Sequence, residues 1–426
     1  KPILFIFGAL LVLQGVAQEQ EIFLEKYRMG EGIRFTSEKG YTTRFNFMVQ
    51  PWGELRSIED EDIASYRLRI RRARLMINSN LTGKLSFRVA IDFSQRDGNV
   101  EEELLNGSLL DAYFTYNLGD FDLSIGQRSL SSDSRELRFS SQYVNLVERS
   151  RLVSSFASIR DFGVFIQGRH HLTGNHKLKT YLEIITGDGQ SAFIRNYGGL
   201  KYGGRLDYFP NGYLRGFGQF RGHDLFREWV PKIVLGVFGS YNDGISSRRG
   251  RRSGSIIYLD ADERIKLPDY GQLGVDLVLR YRGLSFLAEV IKSWSFDTED
   301  IAFFVRSDGS LKDDFPDGIK AEVDGRLMMG ESINAQLGYT LKNSLSFDAR
   351  YTWINPDEFS FLNNDTFFNR NEYYGAGVTQ YFFNNTAKIQ ADVQWNTTAD
   401  TATGVEGIPT MGRNEVVYRI LTQIQF

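Results

Sequence analysis

Between Tyr66 and Ile77 arginine takes nearly every second place, the run being Tyr-Arg-Leu-Arg-Ile-Arg-Arg-Ala-Arg-Leu-Met-Ile. A guanidinium offers planar, forked N–H donors that match phosphate or carboxylate. A ladder of them is therefore equipped for anions, by electrostatics and not by covalent steps. In a strand, successive side chains point to opposite faces, so Arg67, Arg69 and Arg71 share one face and Leu68 and Ile70 the other. The doubled Arg71-Arg72 shifts the phase by one, as a bulge does. The ladder then continues through Arg72 and Arg74, with Ala73, Leu75 and Ile77 opposite. As a helix the same residues would place arginine all around the cylinder and leave no apolar stripe.

Covalent and metal chemistry find less support. The chain has no cysteine and four histidines. His170, His171 and His176 sit around one short turn, with no ordered carboxylate spacing beside them; His223 stands apart. A solvated turn is expected, with no metal or other cofactor and no enzymatic activity. Fifty basic residues against 53 acidic ones argue against nucleic acid as a partner.

The elements that must position the arginines are strands. Tyr41 to Trp52 alternates, and Gly83 to Gln95 sets Leu85, Phe87, Val89, Ile91 and Phe93 against Lys84, Ser86, Arg88, Asp92 and Ser94. About sixteen such segments can be counted. Short turns (81–83, 119–120, 173–175, 283, 342–344, 384–385) alternate with long loops (96–108, 129–158, 243–270, 295–332, 397–413). That rhythm, with 14% aromatic residues, 42 glycines and only 8 prolines, fits an outer-membrane barrel with periplasmic turns and extracellular loops. A mean hydropathy of -0.31 does not fit a helical membrane protein. The fold class expected is all-β: a transmembrane antiparallel β-barrel of about 16 strands. The stretch Phe209 to Val230 is too long for a periplasmic turn and is expected to be an extra ribbon or a cap under the barrel. Residues 129–158 lose the alternation, with a helical turn or two expected from Ser141 to Val147.

At the N-terminus, Lys1 precedes an apolar run from Ile3 to Leu13, and Gly15-Val16-Ala17 supplies small residues for cleavage. Residues 1–17 read as a signal peptide, 18–40 as a polar periplasmic lead-in and 41–426 as the barrel, located in a Gram-negative outer membrane. The last strand alternates to a terminal Phe426, which looks like the signal read by the outer-membrane assembly machinery.

Arg67 to Leu75, Asp92-Phe93, Leu110 to Tyr113, Ile125-Gly126-Gln127, Glu148-Arg149-Ser150, Phe156-Ala157 and Arg160 to Val164 come in an order and spacing that resembles the phosphate-selective porin O and P family. The resemblance is dense from Tyr41 to Gly168 and thin afterwards. It implies a sixteen-stranded homotrimeric porin in contact with lipid and lipopolysaccharide, narrowed by a constriction loop folded in between the fifth and sixth strands, here 129–158. The sequence departs from the family pattern at Arg128 to Asp133, where a lysine and a Pro-Phe pair commonly follow Ile125-Gly126-Gln127.

The candidate pore-lining, anion-binding residues are Arg67, Arg69, Arg72, Arg74, Arg88 and Arg128, with Arg135 and Arg138 on the constriction loop. The function expected is passive diffusion of small hydrophilic solutes, favouring anions such as phosphate. Lumen-facing acids, among them Asp92, Asp111, Glu183, Asp207, Asp276, Glu289, Asp348 and Asp392, could instead pair with the arginines. The alternatives are a non-selective general porin or a barrel serving as a structural or interaction component of a larger outer-membrane complex. The basic run Arg248 to Arg252 is expected to be a solvated loop, with lipopolysaccharide phosphates or an anion funnel as its other uses.

Overall fold

Alternation carries the architecture, because each strand must show lipid one face and the lumen the other. A computed structural model describes residues 22–24, 30–59, 61–94, 108–190, 197–250, 256–363, 371–397 and 414–426. The expected signal peptide, Arg251, Arg252 and most of the loops 96–108 and 397–413 lie outside the described residues.

Two short strands come first, β1 (Ile22–Leu24) and β2 (Ile33–Ser37). They are followed by β3 (Thr42–Ile58), β4 (Glu61–Asn80), β5 (Leu85–Asp92), β6 (Ser108–Asn117), β7 (Phe121–Ser129), β8 (Arg160–His171), β9 (Lys177–Ile185), β10 (Lys201–Phe209) and β11 (Lys232–Asn242). The second half holds β12 (Tyr258–Leu259), β13 (Asp269–Tyr281), β14 (Leu284–Phe296), β15 (Phe303–Val305) and β16 (Leu311–Lys312). It ends with β17 (Gly330–Thr340), β18 (Leu345–Pro356), β19 (Glu372–Phe382), β20 (Ala387–Thr397) and β21 (Glu415–Gln425). Leaving out β1, β2, β12, β15 and β16, sixteen strands pair antiparallel in sequence order, and β21 pairs β3 from Glu415 opposite Ile58 to Gln425 opposite Met48. The sheet is a closed barrel.

The stretch expected to be an aperiodic lead-in instead contributes β2, which pairs the lower part of β3 from Ile33 opposite Phe45 to Thr36 opposite Thr42. It takes the edge of β3 that β21 leaves uncovered. The bulge in the arginine strand is present: Gln50 pairs Arg72 while Pro51 pairs Ile70, so Arg71 is the extra residue. Lipid-facing side chains such as Ile125, Leu182 and Ile420 stand exposed on the outer wall, whereas Gln423 on the inner face of β21 is fully buried. At Gly126, a Cβ would stand 2.2 Å from the Ala112 carbonyl oxygen, so only glycine lets β6 and β7 approach there.

Much of the lumen is filled. The helix expected between Ser141 and Val147 is only a 3-10 turn, Ser141–Tyr143, and the longer helices lie on either side of it at Arg135–Arg138 and Arg151–Phe156. Leu152, Val153 and Phe156 of the second helix pack on Phe238, Ile291, Ile354 and Tyr373 of β11, β14, β18 and β19. The 210–231 connector neither extends the sheet nor caps it from below. It turns inward, where Leu214 joins Phe139 and Val144 of the infolded loop against Val234, Val278 and Leu287 of the wall.

Candidate anion passage

With the β11 to β19 side packed, the space left inside runs along β4 to β8. Two cavities of about 380 Å³ and 570 Å³ share Arg88 and Tyr113 in their linings. The larger reaches Thr42, Gly83 and Lys84 at the short-turn end of the barrel. The other is lined by Arg74, Arg88, Arg128, Arg138, Arg149 and Arg160, with Asp111 as its one acidic side chain among the described residues.

Each guanidinium is oriented by neighbours that leave part of its fork open. Arg74 Nε donates to Asp92 at 2.7 Å and its Nη1 to Ser141 at 2.7 Å. Arg88 Nε and Arg160 Nε share the two oxygens of Asp111 at 3.1 and 2.7 Å, and Arg88 Nη1 donates to Asn78 at 2.7 Å. Arg128 lies over the rings of Tyr113 and Phe165, 4.8 and 5.2 Å from their centroids, and donates to Ser124. Arg138 lies between Tyr181 and Phe220 at 4.4 and 4.8 Å. Arg149 donates to main-chain carbonyls of Phe139 and Glu136, and burial, with Arg74 and Arg160 nearby, pushes it down to about 10, still charged at neutral pH. Among the described residues, Nη2 of Arg74, Arg88 and Arg128 meets no protein acceptor.

Most of the wall acids are engaged elsewhere, holding the loop in place. Glu183 accepts from the amides of Ser131 and Ser132 at 2.9 and 3.3 Å. Glu289 accepts from the Arg135 amide and the Ser134 hydroxyl at 2.9 and 2.8 Å. Asp392 takes the Val147 amide at 2.7 Å, and Asp348 takes the Asn145 side chain at 2.8 Å. These contacts reach β9, β14, β20 and β18, so the 130–159 loop is tied across the inside of the barrel. Asp207 and Asp276 hold Arg135 and Arg205 in one buried cluster.

The eight arginines expected on the lining therefore separate. Arg74, Arg88, Arg128 and Arg138 stand together in the cavity wall. Arg67 and Arg69 lie on a part of β4 beyond its ladder with β5, which ends at Arg74 opposite Asp92; Arg69 covers the Trp52 ring at 4.8 Å. Arg72 is buried, donating to Gln50 and Glu148 at 2.9 and 3.4 Å. Arg135, expected on the lining, is instead fully excluded from solvent between Asp207 and Asp276, because a charge on a loop that packs against the wall must be paired there. Arg149 and Arg160 belong to the passage and were not among the candidates. Arg149 lies where alternation fails. Arg160 shares the parity of lipid-facing Phe162, but as the first residue of β8 it turns in to Asp111.

Residues 56–211, which contain β4 to β10, the infolded loop and all six arginines of the cavity, match the profile of the phosphate-selective porin O and P family. Over this segment the chain is similar to that family. The chain also resembles solved structures over most of its length. An anion-selective porin from Comamonas acidovorans superposes with a TM-score of 0.51 at 10% identity, covering 91% of this chain and 100% of that one. A Salmonella typhi OmpF in complex with daunomycin gives 0.53 at 11% identity, covering 91% and 98%. At such identities these likenesses establish the porin fold. No curated protein matches the sequence. The match over β4 to β10 and the fold of the whole barrel agree in pointing to porins.

Proposed function

We propose that the protein is an outer-membrane porin that passes small anions, those carrying phosphate or carboxylate groups, by diffusion through the arginine-lined passage beside β4 to β8. The observation that carries this reading is the division of charge: six arginines and one aspartate line the cavity, while the wall acids opposite are engaged in holding the loop. At an effective dielectric of ~20 a unit charge 4 Å away contributes roughly 4 kcal/mol, and low-dielectric walls focus that field. The packed clusters around Phe156 and Leu214 favour a second reading, a barrel of low conductance that serves as a structural component. Trimer formation, contact with lipopolysaccharide and recognition of Phe426 by the assembly machinery belong to the same proposal.

The test is the reversal potential in asymmetric potassium chloride, for the parent and for a variant carrying Arg74→Gln, Arg88→Gln, Arg128→Gln and Arg160→Gln. Anion preference in the parent that falls in the variant supports the reading. A cation-preferring parent, or a preference that the four substitutions leave unchanged, refutes it.

A further inference from the structure

The 210–231 connector joins β10 to β11 at the end where the other connections are tight turns. Its C-terminal part is anchored on that rim: Asp224 accepts the Gly283 amide at 2.8 Å, the Glu228 carbonyl accepts the Arg282 amide at 2.9 Å, and Arg227 donates to the Thr340 carbonyl. Its middle reaches inside. Phe220 stands in the wall of the arginine cavity and against Arg138, and the Gly222 amide donates to the Tyr143 carbonyl of the infolded loop at 2.8 Å. The segment thus touches the conduction path and the loop that narrows it. Any displacement of the connector changes the bore.

At the centre of this contact is His223, 2% exposed. Its ring lies 4.8 Å from that of Tyr381 on β19 and 6.4 Å from that of Tyr143. Among the described residues neither ring nitrogen has a partner at full hydrogen-bond geometry, although the Asn385 side chain is beside it. The charged groups around it are Arg221 on its own segment, Arg280 on β13 and Lys388 on β20, all cationic. The carboxylates in the neighbourhood are already occupied, Asp224 by the amides of Gly283 and Glu228 and Asp348 by Asn145 and Ser346. The pocket accepts a neutral imidazole and opposes a cation.

We propose that the 210–231 connector is a gate that narrows the passage where Phe220 stands in the arginine cavity, held docked by neutral His223 and released when that histidine takes up a proton. Burial and the three cations hold the docked histidine well below its ordinary value, so protons bind chiefly to the released form. A histidine that titrates normally only when released raises the released-to-docked ratio by roughly 30-fold between about pH 7.5 and about pH 5. In the proposed orientation this end faces the periplasm, and acidification there opens the channel.

The inference rests on the reading of the cavity as a conduction path but not on its preference for anions. The test is single-channel recording of the full chain in planar bilayers at the two pH values. The parent should show a rise in open probability of that order in acid. His223→Phe, which fills the same aromatic slot and cannot be protonated, should lose the response while conducting as the parent does near pH 7.5. A second arm avoids dependence on that substitution. A Cβ on Gly222 would lie 2.7 Å from Cγ of Asn145, and the chain has no cysteine of its own, so Gly222→Cys with Asn145→Cys gives one disulfide between connector and loop. Oxidised, it should abolish opening in acid; reduced, it should restore it. A parent indifferent to pH, a His223→Phe variant that still opens, or an oxidised pair that still opens overturns the gate and leaves the channel standing. A barrel silent at both pH values, parent and reduced pair alike, overturns the channel reading together with the gate.

Discussion

Arg135 and Asp207 meet through two hydrogen bonds, 2.6 and 3.1 Å, with neither side chain reaching solvent. The pair fastens the infolded loop to β10, and Asp276 on β13 bonds the same guanidinium at 2.8 Å. Removing one partner of a buried pair leaves a charge without compensation and costs about 3–5 kcal/mol. Asp207→Asn should lower the denaturant midpoint of the detergent-solubilised barrel accordingly. Substitution of exposed Arg264, paired only at the surface, should leave it within about 0.5 kcal/mol.

Glu148 joins the same loop to the arginine strand, accepting from Arg71 at 2.6 and 3.2 Å. Burial alone would raise its carboxyl, but Arg72 and Arg71 outweigh burial and hold it down to about 2. A folded-state value below the unfolded one gives stability that is complete above the ordinary carboxylate value and is lost as pH falls through about 2. Glu148→Gln should flatten that part of the acid-unfolding curve followed by tryptophan fluorescence, and should shift anion preference upward because a buried negative charge beside the ladder is gone. An acid limb identical to that of the parent would contradict the assignment.

The outer wall makes a different demand. Ile125 lies midway along β7 with its side chain 51% exposed. Arginine there should cost about 2–4 kcal/mol if this level is the bilayer midplane, measured as the loss of heat-modifiable folded protein in lipid vesicles. The same substitution in a detergent of short chain, where the charge reaches water, should cost less.

Phe426 adds to the seam that closes the barrel. Phe426 exchanges backbone hydrogen bonds with Phe47 at 2.6 and 2.9 Å, and their rings lie 5.3 Å apart. Deleting Phe426 removes the final rung between β21 and β3 as well as the aromatic pair. Unfolded protein should accumulate in the periplasm, seen as loss of the heat-modifiable band, while folding from denaturant into vesicles should slow without being abolished.

The strands were legible because each obeys a constraint of its own: Leu85 to Asp92 must turn apolar side chains to lipid and polar ones to the lumen, whatever its neighbours do. The loop at 129–158 and the connector at 210–231 obey no such local rule. Their hydrophobic residues, Phe156 and Leu214 among them, face a wall built from distant strands, Tyr373 on β19 being more than two hundred positions from Phe156. Nothing in their own spacing says that they turn inward.

The sequence by itself therefore determined the closed sixteen-stranded barrel, the bulge at Arg71-Arg72 and the presence of a guanidinium ladder, since period-2 alternation is a property of each short segment. Only the tertiary structure decided which arginines share a cavity. Arg135 and Arg74 are alike as residues in a sequence, but one meets Asp207 and Asp276 across the lumen and is buried between them, while the other keeps an open Nη2 toward the passage. Whether a charge is neutralised depends on the acid it meets through space, and for a loop folded inside a barrel that acid comes from a strand far along the chain.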